Sequence, residues 1–283
     1  MTTTEVNGGN TTGAVIEEVN PFEERARAEA AKPKRPSVLS AITTRKRRRP
    51  IFAVLYGPPG VGKSTFASEA PDPIFIPTER GLDQITVAKF PTPKNLIEFG
   101  SYLKAVEEEP NDYKTLVIDT GDALELLITD AVCEEGKVKS LEEFGGGYGK
   151  GAFRAREYWQ RLLVRLSRMS EERNVLLVCH SHLRTVNDPM LAAAYDIHEI
   201  KIQPKSAELI RQSVDLILFA KIASTLAKDS PRARKGRALV TGDREMYTSP
   251  TTGLESKNRY ELPNPMEFSW AALEEGINKF YDK

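Results

Sequence analysis

The octapeptide Gly57-Pro58-Pro59-Gly60-Val61-Gly62-Lys63-Ser64 constrains this chain more than any other stretch. It meets the pattern G-x-x-x-x-G-K-[ST] at every required position. Ahead of it, Ile51-Phe52-Ala53-Val54-Leu55-Tyr56 is an apolar run that reads as a buried strand. Behind it, Ser64 to Ala70 can open a helix. Glycines let the backbone wrap a polyphosphate closely, so that successive N–H groups face it. The helix N-terminus adds a partial positive charge. The expected nucleotide cradle is Gly57, Pro58, Pro59, Gly60, Val61, Gly62, Lys63, Ser64 and Thr65. Lys63 would reach the β/γ-phosphates and the Ser64 hydroxyl would ligate Mg²⁺.

Strand and helix signals alternate after this loop. Pro73–Pro77, Lys114–Asp119, Asn174–His180 and Asp215–Ala220 are short apolar runs. Between them, residues 92–109, 121–134, 152–173 and about 205–214 have helical character. Strands that are apolar throughout and separated by helices predict an α/β domain, with a mostly parallel sheet flanked by helices. Phe144–Gly151 is too glycine-rich for a helix and reads as a loop. Residues 1–49 are expected to be a disordered basic tail, 50–225 the core, and 226–283 a C-terminal hairpin and helix extension.

Two carboxylates stand at strand ends. Asp119 closes the third strand, where a carboxylate orients Mg²⁺ or its water shell. Thr120 follows it, so the residue that activates water must come from elsewhere. Glu79, just past the second strand, is the candidate, because the carboxyl ends of neighbouring parallel strands line one crevice. A surface glutamate in a turn is the alternative reading. His180 and His182 lack a second cluster of metal-ligand spacing, which argues against zinc.

The phrases YGPPGVGKST, IFIPTERGLD, GYGKG and SKNRYELP resemble the RecA family of recombination ATPases, above all the RecA-like phage ATP-binding proteins linked to single-strand annealing. The resemblance runs from roughly residue 50 to 265. It implies a RecA-like core binding ATP and Mg²⁺ through Ser64 and Asp119, with Glu79 as base and His180 as the γ-phosphate sensor. The family usually has Asn or Gln at the sensor position. It also implies contact with single-stranded DNA through Tyr148, Lys150, Arg154 and Arg156 before the fourth strand, and through Arg184, Lys201 and Lys205 after it. Basic groups with an aromatic suit a single strand, although ordinary solvated loops have the same composition. Ser256–Tyr260 resembles the KNRFG motif of the RadA branch, which implies that Lys257 and Arg259 reach the nucleotide of the next subunit. A basic hairpin edge is the other reading of that segment.

The resemblance therefore implies a DNA-dependent ATPase of phage recombination, by annealing or strand exchange. It would act as a homo-oligomeric ring or filament, with a single-strand-binding protein as a further partner. A nucleotide switch or loader, or a ring motor such as a helicase, are the rival classes. Two cysteines, Cys133 and Cys179, argue against a disulfide framework or a Cys-based zinc site. No apolar run approaches the roughly 20 residues of a membrane helix, and no signal-peptide pattern opens the chain. The expectation is a cytoplasmic phage protein in its host. From Lys32 to Arg49 there are basic residues and no acid, and Arg45-Lys46-Arg47-Arg48-Arg49 is expected to add sequence-independent affinity for nucleic acid, a solvated linker being the alternative reading.

Overall fold

In the computed structural model, which describes residues 3, 38–190, 193–227 and 237–283, the run ahead of the phosphate loop is strand β1 (Phe52–Gly57), buried at every residue. Its residues alternate between two cores. Phe52, Val54 and Tyr56 join one, and Ala53 and Leu55 join the other. The same two-sided burial holds in β2 (Pro73–Pro77), β4 (Thr115–Asp119) and the first half of β5 (Asn174–Val186). The short β3 is Ala88–Lys89, and β6 is Tyr195–Ile200. Strand β7 is Leu216–Ala227, β8 is Arg237–Tyr247, and the short β9 and β10 are Lys257–Asn258 and Met266–Glu267.

The sheet order is β10-β8-β7-β1-β5-β4-β2-β3, with β6 on β5 and β9 on β7. Strands β7, β1, β5, β4, β2 and β3 are parallel to their neighbours, and β8, β10, β6 and β9 join antiparallel. The fold is thus a RecA-like α/β layout, with β1 between the fourth and fifth core strands. One face carries α2 (Leu96–Glu108), α3 (Gly121–Gly136), α4 (Lys150–Met169) and α5 (Pro204–Ser213). The other carries α1 (Lys63–Ser68) and α6 (Trp270–Asp282), packed through Phe66, Trp270 and Leu273.

Local chemistry explains the helix starts. Asn95 caps α2 by accepting the Glu98 N–H, and Thr120 caps α3 by accepting the Ala123 N–H. Helix α4 begins at Lys150, inside the stretch read as loop, because Gly149 at φ 73 turns the chain into it. Past His180, where the apolar run ends, the chain continues β5 and pairs it with β6 in a hairpin, with Ser181 opposite Ile200 and Val186 opposite Tyr195. Beyond His180 the strand leaves the covered sheet, so its residues need not be apolar, and the hydrophobic signal stops there.

The chain divides into two compact units, Met1–Lys46 and Arg47–Lys283. Residues 4–37 of the expected tail lie outside the described residues. Three cations of the basic run have partners within the larger unit. Arg47 pairs with Glu171, and Arg48 bonds the Asn278 side chain. Arg49 pairs with Asp215 at 2.8 Å. Asp215 is 2% exposed and also receives the Phe52 N–H and the Arg259 guanidinium at 3.0 Å. It therefore joins the entry to β1, the entry to β7 and the C-terminal extension. Asp215→Asn should lower stability by about 2 to 3 kcal/mol, below the full cost of splitting a buried pair because both arginines keep some solvent. Urea unfolding of the full chain measures this, and Arg259→Ala should cost less than about 1 kcal/mol.

Candidate active site

Register sets the site. Gly57 lies opposite His180, Asp119 opposite Val178, and Pro77 opposite Asp119. The carboxyl ends of β4 and β2 are level with each other and two residues short of the Gly57–His180 pair on β1 and β5, so the polar groups at and after these ends gather at one edge. Gly57 has no alternative at its position, since a side chain there would collide with the Ala220 carbonyl of β7. Gly60 and Gly62, at φ 77 and 98, make the left-handed turns that bring the loop round to α1.

Lys63 is 6% exposed, and its ammonium donates to the Gly57 and Pro58 carbonyls at 3.0 Å each. Burial pulls its pKa below the ordinary lysine range, and Asp119 and Asp122 oppose that shift. Ser64 donates its hydroxyl to Asp119 Oδ2 at 2.7 Å. Burial raises the Asp119 carboxyl above its usual range, while the Ser64 hydroxyl and Lys63 pull it down. The loop thus carries a buried cation held by its own carbonyls, beside a hydroxyl–carboxylate pair. This donor set fits a phosphate group together with a divalent cation on Ser64 and Asp119.

Glu79 is placed by a lock between β2 and β4. The Thr78 N–H donates to the Asp119 carbonyl at 2.7 Å. The Thr78 hydroxyl donates to the Thr120 carbonyl and accepts the Thr120 N–H, both at 2.6 Å. Glu79 follows this lock, with its side chain 40% exposed. Burial raises its pKa, and the nearby His180 acts the other way.

Asp122 is the functional residue that sequence reasoning missed. Its carboxylate accepts the His180 backbone N–H at 2.9 Å and faces Nδ1 of the same ring at 2.8 Å. A carboxylate only accepts, so Nδ1 carries the proton, and Nε2 faces Glu79 Oε1 at 4.0 Å. The available signal was an Asp in the first turn of a Thr-capped helix, right after the Asp119 strand. Glu79, Asp122 and His180 offer ligand atoms within 4.8 Å of one another, a cluster that could also hold a cation. Asp122 and His180, however, already engage each other. These residues line a cleft of about 650 Å³ with Glu125, His182, Lys201 and Gln203.

The remaining expected residues scatter. Tyr148 is fully exposed in the glycine loop, and Lys150 donates to the Gly145 carbonyl at 2.8 Å. Arg156 is half-buried on α4. Arg154 is held by Glu135 at 3.0 Å and by Glu157, over the Tyr158 ring. Arg184 makes a two-pronged pair with Glu199 at 2.8 and 2.6 Å. Lys201 and Lys205 are exposed, and Lys201 borders the Glu79 cleft. Lys257 and Arg259 do not alternate along one strand, because β9 ends at Asn258. The Lys257 ammonium instead donates to the Arg211 carbonyl at 2.6 Å, where α5 ends, and Arg259 holds Asp215. Since Lys257 lies opposite Ile217 at the start of β7, it stands about 15 Å along the sheet from the phosphate loop of its own chain.

A phosphate loop on the first strand, a hydroxyl–carboxylate pair and a second-strand glutamate on one crevice define a RecA-like phosphate-loop nucleotide-binding domain. The chain belongs to the AAA domain family, whose model matches residues 49–260. It is also similar to the SPbeta prophage-derived uncharacterized protein YorG of Bacillus subtilis (strain 168), at 25% identity over 112 residues. That match covers 38% of this chain and 35% of the relative, so it spans about a third of the relative's length. Among solved structures, flagellar accessory protein FlaH from Methanocaldococcus jannaschii aligns with a TM-score of 0.34 and 9% identity. That alignment covers 74% of this chain and 90% of the other. Among the described residues, no helix is long and apolar enough to cross a membrane.

Glu125 supplies a pH test of the cleft. Burial lifts its carboxyl to about 7, although it accepts the Gln203 N–H at 2.9 and 3.1 Å. The folded state therefore holds this proton more tightly than the unfolded chain does. The resulting stability is complete below pH 4.5 and is lost as pH rises through about 7. Glu125→Gln should flatten the fall in melting temperature between pH 5 and 8, about neutrality. Thermal scans of both proteins at matched ionic strength would show it.

Proposed function

We propose that this chain is an ATPase stimulated by single-stranded DNA, acting in phage DNA recombination by strand annealing or exchange. The observation that carries the hydrolytic half is the convergence of Lys63, Ser64, Asp119 and Glu79 on one crevice, with His180 beside Glu79. Lys63 exchanges the Gly57 and Pro58 carbonyls for phosphate oxygens when ATP enters. Ser64 and Asp119 would hold Mg²⁺, whose charge offsets that building on the phosphates. Glu79 accepts the proton of the attacking water. His180, oriented by Asp122, turns Nε2 toward Glu79, and in its protonated form it would donate from there to the Glu79 carboxylate or to the γ-phosphate.

The DNA half rests on the exposed Tyr148 in its glycine loop and on Lys150, Arg156, Lys201 and Lys205. An exposed ring is a stacking platform for an unpaired base, and the cations suit its phosphates. The prophage origin of a relative supports the phage setting. A homo-oligomer encircling or coating the strand is the working form in this reading.

Glu79→Gln should keep ATP binding and lose about 100-fold or more in turnover, because an amide cannot take up the proton. Lys63→Ala should lose both. Steady-state hydrolysis with and without single-stranded DNA is the measurement, and a parent rate in folded Glu79→Gln would favour a nucleotide switch. Tyr148→Ala should weaken single-strand affinity by about 1 to 3 kcal/mol, read by fluorescence anisotropy.

The pH–rate profile carries a further sign. Only ionised Glu79 is a base, so hydrolysis falls as pH drops through a value above the ordinary 4.5. His180 pulls that value down, so His180→Asn should move the acid limb to higher pH.

A further inference from the structure

Arg244 lies against the phosphate loop from a strand that the nucleotide motifs do not include. A Cβ built on Gly62 would stand 3.2 Å from its Nη1, 3.3 Å from its Cζ and 3.6 Å from its Nε. Three atoms at nearly one distance mean that the guanidinium lies broadside to Gly62, so this contact does not engage its in-plane N–H fork. Among the described residues, no carboxylate or carbonyl takes that fork. Arg154, Arg165, Arg184, Arg211 and Arg259, by contrast, each have a carboxylate partner. The residue is exposed, so the fold does not require it there.

The backbone aims it at the loop. Strand β8 pairs with β7, and the register shifts between Ile222 and Ser224, with Ile222 opposite Arg244 and Ser224 opposite Val240. Gly242, at φ 89, sits within the shifted stretch. A bulge of this kind re-aims the side chains beside it. Two residues on, Met246 is buried among Phe66 and Ala67 of α1, so Arg244 shares the sheet face on which α1 packs.

Charge supplies the reason. Near the loop, Asp119, Asp122 and Glu79 face one buried lysine. A polyphosphate entering such a crevice adds more negative charge, and a second cation offsets it. Arginine suits this task better than lysine, because its planar fork meets two phosphate oxygens at once.

We propose that Arg244 is a further ligand for the polyphosphate of a bound nucleoside di- or triphosphate, supplied by the same chain. This rests on the nucleotide reading given above. The test is titration calorimetry of the full chain with Mg²⁺ and ADP, a non-hydrolysable ATP analogue or AMP, for the parent, Arg244→Ala and Arg244→Lys. Arg244→Ala should weaken the di- and triphosphate by about tenfold, the weight of one charge-assisted hydrogen bond, and AMP by less than about twofold. Arg244→Lys should recover part of the loss, and thermal midpoints should match the parent. If the parent binds ADP and Arg244→Ala binds it within about twofold, the Arg244 assignment is overturned while the nucleotide reading stands. An equal loss for AMP and ADP also overturns it, since the contact would then be to base or ribose. A folded parent that binds none of the three overturns both.

Discussion

A strand buried on both faces can place polar groups only at its ends, and this constraint arranges the molecule. In β4, Leu116, Val117 and Ile118 are fully enclosed, and the carboxylate comes only at Asp119, the last residue. The parallel register then brings four such ends within two residues of one another. Thr78 and Thr120 lock two of them together through a hydroxyl that donates to one strand end and accepts from it as well. The crevice is thus a by-product of how the sheet is hidden, made specific by a few short hydrogen bonds.

The parts legible in the sequence are those whose signals are local. The phosphate loop, the cores of β1, β2, β4 and β5 and the helices after them follow from apolar runs and turn residues within a short window. Asp119 and Glu79 were visible because strand ends are. What stayed hidden depends on partners far along the chain. Arg154 looked free until Glu135, 19 residues earlier, closed on it, and Arg184 meets Glu199 only once β5 and β6 form a hairpin. Asp122 needed the fold to bring His180 across 58 residues. Hydrophobic periodicity could not announce β6, because Ile200 is the one fully buried residue of that strand and its neighbours are polar or half-exposed.

The phosphate loop satisfies itself. Lys63 is almost fully enclosed, yet both carbonyls it binds belong to the loop that it serves. This keeps a buried ammonium paired, where an unpaired one would be costly. It also holds the loop in one shape. Ser64 and Asp119 do the same for each other. Ligand entry is therefore an exchange of partners within a formed site, which limits the ordering cost of binding.

The Asp215 junction has a mechanical meaning. Arg49 precedes β1, Arg259 lies in the C-terminal extension, and the Phe52 N–H opens the strand itself, and all three are fastened to one enclosed carboxylate. Tension applied along the chain ahead of Arg49 meets the Arg47–Glu171 and Arg48–Asn278 contacts and then this clasp, which shares it with β7 and the extension. Strand β1, with the phosphate loop at its far end, is loaded only after the clasp yields. The foot of the sheet acts as a strain relief for its working edge.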